Sequence, residues 1–317
     1  MLAALCVRVG AQTPSAPRAD VPLPASNAVV FVNVKRLLTE AMPRALASDA
    51  QRSAQVNADI EQFKTRTGVD ARTLDTLTVG ARIVKLPSGA TKFDNVVAVA
   101  RGAFSTDAIV AAGRASAAGV FTQQPYGGKT IYVFSFNDRI KVFGLAKMHV
   151  SDLGIVALDQ NTLAVGDPRA VRSAIDAAGG RGRVDQRLLN SVVNTNDIIA
   201  FAGNVPAGAL ENAGSGMSKV DRAIASIRAF RGSIGTTQAG YQMTTVLRTT
   251  TTAEANQLFK SIDGLRQIAP GIIMAAGERW KFALALVNNL KINTTGNEVN
   301  LRLDIAQSEV GNILRAL

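Results

Sequence analysis

The sequence is short of the residues that carry most covalent and metal chemistry. Its 317 residues include one cysteine and one histidine. Cys6 stands in the extreme N-terminal segment, so the body of the chain offers neither a disulfide framework nor a thiolate metal site. Nucleophilic triads and Cys-His pairs need a histidine as base. The lone His149 precedes an expected hairpin, where it reads as a polar strand-end residue rather than a base. Aromatic residues make up only 5%, which leaves the core to Ala, Val, Ile and Leu and argues against a base-stacking surface. Long uncharged apolar runs are also missing. The best candidate, residues 269–290, carries Glu278, Arg279 and Lys281 in its middle. Each would cost on the order of 3 kcal/mol in hydrocarbon, so the stretch reads as a buried or amphipathic helix and no transmembrane segment is expected.

What is present is a globular composition, 47% hydrophobic and 19% charged, with a net charge of +11 spread along the chain. That balance favours anionic partners without naming one. The opening residues, MLAALCVRVGAQ, are a short apolar run ending in Val9-Gly10-Ala11, the form of a secretory signal with cleavage before Gln12. A lipoprotein signal acylated on Cys6 and a retained N-terminal helix are the alternatives. Residues 1–11 are thus read as a signal peptide and the protein as exported to the periplasm or cell envelope. Residues 12–25, with four prolines, read as an extended linker.

From residue 26 the pattern alternates. AVVFVNV is a buried strand; QVNADIEQFKTRTG is a helix stopped at Gly68; LTVGARIV and NVVAVARG are strands; STDAIVAAG is a helix; KTIYVFSF is a strand. This β-α-β-β-α-β order predicts a ferredoxin-like antiparallel sheet. A hairpin and helix follow at 150–177, with Asp167-Pro168 as N-cap and N1. Similar elements then recur: IIAFAGNV at 198–205, a helix at 220–230, GSIGTT, then MTTVLRTTTTAEANQLF, which matches VVAVARGAFSTDAIVAAG with Arg101 and Arg248 in register. Thr251 and Glu254 form a capping box. The expectation is an α+β protein made by tandem duplication of a ferredoxin-like-type module plus a hairpin-helix unit: a first module at 26–180, a connector at 181–195 and a second module at 196–317. In place of KTIYVFSF the second module has a helical WKFALALVNNL.

The runs ARGAFSTDAIVAAG, YGGKTIYVFSF and TLAVGDPRAVRSAID resemble a family of exported bacterial proteins defined only as a domain of unknown function. The resemblance covers about residues 26–180, more weakly beyond, and implies an envelope location and no established activity.

Phosphate-loop readings fail. GGKT at 127–130 has Gln123 where the first glycine should stand, and a strand follows it. GSGMSK at 214–219 lacks a third glycine and reads as a flexible loop. Asp107 and Glu254 occupy matching positions in the first turn of a helix, where an acid complements the helix dipole. The candidates for an anionic partner are Arg101 and Arg248, ending matching strands, and Arg181 and Arg183, with Arg187, in the connector. No cofactor, metal or specific nucleic acid is expected. The sequence points to a non-catalytic exported protein that binds a ligand, an anionic envelope component or a protein partner. A carboxylate-dependent hydrolase of envelope glycans and a nonspecific anion or nucleic-acid binder are the alternatives.

Overall fold

The computed structural model describes residues 20–88, 90–115, 121–135, 140–142, 146–148, 152–193, 197–211 and 218–316. The signal segment, Cys6, residues 12–19, His149 and residues 214–217 of the glycine loop lie outside the described residues.

The first half runs β1 (Ala28–Asn33), α1 (Val34–Arg36), a π-helical turn (Leu37–Ala41), α2 (Met42–Ala45), α3 (Ala50–Thr67), β2 (Leu74–Lys85), β3 (Thr91–Gly102) and α4 (Thr106–Ala115). It continues with β4 (Phe121–Tyr126), β5 (Lys129–Ser135), the small pair β6 (Ile140–Val142) and β7 (Ala146–Met148), then β8 (Asp152–Asp159), β9 (Thr162–Gly166) and α5 (Pro168–Ala178). After α6 (Gln186–Val193) come β10 (Ile199–Asn204), α7 (Ser218–Ala225), β11 (Ala229–Thr236), β12 (Gly240–Arg248) and α8 (Thr252–Ala275). The chain ends with α9 (Phe282–Asn289), β13 (Leu290–Thr295), β14 (Glu298–Ala306) and α10 (Gln307–Ala316).

The class is α+β, and the two halves share one sheet. Twelve strands lie in the order β13-β14-β12-β11-β10-β1-β2-β3-β9-β8-β5-β4, every ladder antiparallel. The halves join where β1 pairs with β10. Moving outward from that seam, β1-β2-β3-β9-β8 on one side is answered by β10-β11-β12-β14-β13 on the other. This is not the ferredoxin-like order, in which the third strand lies between the first two. Here β1 pairs directly with β2 from Ala28↔Ala81 to Asn33↔Thr76, and β10 occupies its other edge, so no slot remains. Element order along the chain cannot distinguish the two because both use the same alternation of helix and strand.

Local chemistry explains several elements. Tyr126-Gly127-Gly128-Lys129 is a two-residue hairpin with positive φ at both glycines, the twist that antiparallel strands require. Pro125 lacks an N–H and sits in β4, an edge strand. Thr251 and Glu254 close the capping box at the start of α8, so Glu254 is engaged in capping that helix.

Two connections do more than link. In the segment before β1, Val21 and Leu23 are buried in the main core. The connector also contributes to that core. Gln186–Val193 is helical and buries Leu188, Leu189 and Val192 against β1 and β10. Leu-Leu-x-x-Val supplies the i, i+1, i+4 apolar stripe that such a short helix needs.

The sheet has two unlike faces. On the back, α5, α6 and the N-terminal arm cover the first half and the seam, sealing Val29, Phe31, Val97, Val99, Ala200 and Ala202. The back of the second half is polar. Arg231 forks onto Glu298 at 2.9 and 3.0 Å, and Arg302, Lys291 and Gln242 converge on Asp304. α3 and α4 cover the outer front of the first half, and α7, α8 and α10 cover parts of the second.

Candidate functional site: an open apolar trough at the seam

Ladder registers define rows of side chains that share a face. One row crosses the front of the sheet through Ile155, Val165, Ala98, Val79, Val30, Phe201, Gly232, Thr245, Leu301 and Ile292. The next row reads Leu163, Ala100, Leu77, Val32, Ile199, Ile234, Met243, Leu303 and Leu290. Between β8 and β13 neither row holds an ionisable side chain, and Thr245 is the single polar one; beyond β8 the first row runs on to Tyr132 and Gln123.

These rows are sealed only at the outer end of the first half, where Ile155, Leu163 and Ala100 pack under α3 and α4. From β2 through the seam to β13 no member is fully buried, and Val30, in the middle of a twelve-stranded sheet, is 37% exposed. Its back-face neighbour Val29 is 1% exposed. The opening is therefore a property of one face. Among the described residues no helix seals this apolar floor over Val30, and the opening is a trough.

A helical hairpin borders it. The first half of α8 buries Ala255 and Leu258, but nothing beyond residue 258 is buried. α9 is apolar all round yet has no buried residue, although it touches β14, α8 and α10. A helix of that composition is normally enclosed. Among the described residues six large apolar side chains stand exposed, and four of them, Ile268, Ile272, Met274 and Trp280, lie on this hairpin, while a fifth is Val30. The stretch 269–290 is thus not buried, as one of its two sequence readings had it.

The other end of the trough is closed by a latch between the halves. Tyr241 donates to the Ala41 carbonyl at 2.6 Å, Arg44 donates to the carbonyls of Thr237 and Gln238, and Gln307 donates to the carbonyl of Arg44. Glu40 accepts from Arg36 at 2.9 Å and from the Thr236 hydroxyl. Arg36 first, then Thr236, holds the Glu40 carboxyl below the usual glutamate range. A depressed folded-state pKa contributes stability above the unfolded value and loses it as pH falls through the folded one. The thermal midpoint should therefore be insensitive to this pair from neutral pH to about 5 and fall below about 4. Glu40→Gln should fall less steeply over that acid range in a pH series of melting curves; a parallel fall would rule out the latch as a contributor.

The arginines singled out from the sequence are not gathered at one site. Arg101 and Arg248 end strands separated by four others, about 24 Å at 4.8 Å per strand. One small anion cannot bridge that span. Arg101 donates to the carbonyl of Asp20, and Arg183 pairs with the Asp20 carboxylate at 2.8 Å while donating to the Ala177 carbonyl. Both hold the N-terminal arm. Arg181 pairs with Asp176 at 2.5 Å and, together with the Tyr126 hydroxyl, lowers its pKa. Arg187 is exposed on α6. Arg248 is exposed opposite Glu298, the carboxylate that Arg231 holds. Asp107 stands in the first turn of α4. The trough residues Val30, Phe201 and Thr245 were not anticipated. VVFVNV and IIAFAGNV look like buried strands, and their pairing at the seam is a fact of the fold with no local signal.

Among the described residues no three metal-ligating side chains cluster, and no helix is long and apolar enough to cross a membrane. Fold and site together define an α+β protein with one continuous antiparallel sheet and an open apolar front. No family model and no curated protein matches the sequence. Among solved structures, crystal form III of a protein called TP0453 is similar at a TM-score of 0.50 and 10% identity, covering 96% of this chain and 99% of that one. Crystal form IV of TP0453 gives 0.49 at 9% identity, with 96% and 99% covered, and crystal form I gives 0.45 at 9%, with 96% and 98% covered. The first of these likenesses concerns the fold, and it extends over nearly the whole of both chains.

Proposed function

We propose that the protein is a non-catalytic, exported binding protein of the cell envelope that holds an apolar ligand in the trough between its halves. The observation that carries this is the uncovered row at the seam, centred on Val30. Ligand sites are mostly apolar concavities at the junction of structural units, with few polar groups. The exposed hairpin alongside supplies apolar surface to complete the enclosure.

We further read the halves as copies of one ancestral module, facing each other across an approximate twofold at β1–β10. Three correspondences support this. Arg101 pairs with Thr76 and Thr162, and Arg248 with Ala229 and Glu298, at equivalent ladder positions. The residue after each arginine donates to an asparagine carbonyl at 3.0 Å, Gly102 to Asn161 and Thr249 to Asn297. Ile155 pairs with Val165 and Ile292 with Leu301, each partner four residues after the asparagine of its turn.

The hydrolase reading has less support. A general acid needs a raised pKa, whereas each carboxyl displaced among the described residues, at Glu40, Asp70, Asp176, Asp263 and Asp304, is displaced downward. The anion-binding reading also loses ground, because three of its arginines are engaged within the chain.

The test is a fluorescence titration with 1-aminoanthracene, a neutral apolar reporter whose binding does not draw on the net charge. Saturable binding at one site per chain is expected. Val30→Lys, tolerable at a partly exposed position, should weaken it at least tenfold with an unchanged circular dichroism spectrum. Wild-type binding by Val30→Lys would remove the trough from consideration.

A further inference from the structure

The twelve-stranded sheet is open, and its two edges are unlike. In β4, Tyr126↔Lys129 closes a two-residue turn, so the groups of Pro125, one residue earlier, point outward. Proline has no N–H to give a further strand, and that edge is blunted. β13 has neither proline nor bulge: its register on β14 runs unbroken from Leu290↔Leu303 to Thr295↔Glu298. Among the described residues no strand pairs with its other side. Its one charge, Lys291, belongs to the back face, 3.5 Å from Asp304. The open groups follow from the turn. Thr295↔Glu298 closes the two-residue turn Gly296-Asn297 and is a hydrogen-bonded pair. Alternation along the ladder then aims the N–H and C=O of Ile292 and Thr294, and the C=O of Leu290, away from β14. The Leu290 N–H is taken by the Val287 carbonyl.

The same end of the sheet carries the apolar hairpin. α8 touches β13 and β14, and its Phe259 and Ile262 pack in one cluster with Ile292. Beyond them Ile268 and Ile272, one turn apart on α8, are 47% and 60% exposed. We propose that β13 is a dimerisation edge: two copies of this chain join antiparallel, β13 to β13, about a twofold axis perpendicular to the sheet. Such a contact is isologous, the same strand serving on both sides. The axis keeps front with front, so only registers that oppose residues of one face are allowed. With Ile292 on the axis, the two Ile292 residues stand opposite each other and exchange both hydrogen bonds, while Thr294 of each copy donates to the Leu290 carbonyl of the other. An axis at Lys291 would oppose two lysines, and one at Asn293 would lose the apolar pair. The twofold also brings α8 of both copies over the joint, so each covers apolar surface that the other leaves exposed. The joint is five strands from β1, about 24 Å at 4.8 Å per strand, and leaves the trough open.

Sedimentation equilibrium of the full chain tests this, and a dimer is expected. Ile292→Pro removes an outward N–H from an edge strand, where proline is tolerated. It should raise the dissociation constant roughly tenfold or more with an unchanged circular dichroism spectrum. Ile272→Lys, at an exposed position, should weaken the dimer without touching the strand. In a chain carrying Cys6→Ser, Ile292→Cys should form an interchain disulfide on air oxidation. Thr295→Cys should not, because its two copies would stand about 20 Å apart at 3.4 Å per residue. A wild type that stays monomeric up to its solubility limit would overturn the proposal, and flotation of that monomer with phosphatidylglycerol vesicles would assign the hairpin to a lipid surface instead. A dimer unchanged by Ile292→Pro, or one that Thr295→Cys links as readily as Ile292→Cys, would overturn it too.

Discussion

Leu23→Ala is expected to destabilise the protein by about 3 kcal/mol, the middle of the range for truncating a fully buried leucine. Leu23 is 0% exposed although it lies five residues before the first strand of the sheet. Its side chain sits over Gly80, where an added Cβ would approach it to 2.9 Å, so no larger residue at 80 is available to fill the gap left by truncation. Its backbone is tied as well: Val184 N–H donates to the Leu23 carbonyl at 3.0 Å, and Ala25 N–H donates to Gly182 at 2.6 Å. The arm is thus a short extra layer locked between the back of the sheet and the segment leading into α6. The polar ends of the arm should matter far less. Asp20→Ala removes an exposed ion pair with Arg183, worth at most about 1 kcal/mol. Urea denaturation of both variants decides the matter. A Leu23→Ala midpoint close to that of Asp20→Ala would mean that the arm is only lightly held.

Gly68→Ala should be at least as costly, again about 3 kcal/mol, through a different mechanism. Gly68 ends α3 at φ +73°, a left-handed conformation that costs a residue with a Cβ about 1–2 kcal/mol. In addition, a Cβ would lie 2.3 Å from the carbonyl oxygen of Ala108 in α4, a backbone contact that can be relieved only by moving one helix against the other. Overpacking of that kind adds about 1–3 kcal/mol. Gly128 provides the control. It too has positive φ, at +74°, but nothing lies within 4 Å of its Cβ position. Gly128→Ala should therefore show only the conformational cost, and the difference between the two variants measures the α3–α4 approach. Equal losses would mean that α4 gives way without resistance.

The two glycines also show where sequence reading stops. Gly68 after QVNADIEQFKTRT announces a helix end on local grounds alone, because a left-handed cap is a property of the residue and its immediate neighbours. That α4 passes over it is invisible locally. The same division runs through the candidate site. Arg101 and Arg248 were matched from their neighbours, and each stands near the end of its strand, opposite Thr162 and Glu298 respectively. Their partners were not legible, because Asp20 is brought to Arg101 and Arg183 only by the folding of an arm that looked like a linker. Proline content suggested an extended linker over residues 12–25, of which 20–25 are described. Composition could not reveal that Val21 and Leu23 find a groove between α6 and the sheet.

By itself the sequence determined most strands and most helices, many of their caps and turns, the α+β class and the alternation of apolar residues that makes each strand two-faced. Those are short-range matters, decided by φ and ψ preferences, by hydrogen bonds a few residues long and by the period of the side chains. The tertiary structure alone decided which strand lies beside which, and so replaced a ferredoxin-like order with a single sheet joined at β1–β10. It also decided which apolar rows are covered. Val29 and Val30 are neighbours of one residue type, yet one is sealed beneath α6 and the N-terminal arm while the other stands open in the trough. The difference lies in helices contributed from far along the chain, and coverage by remote elements is not a property of any local stretch.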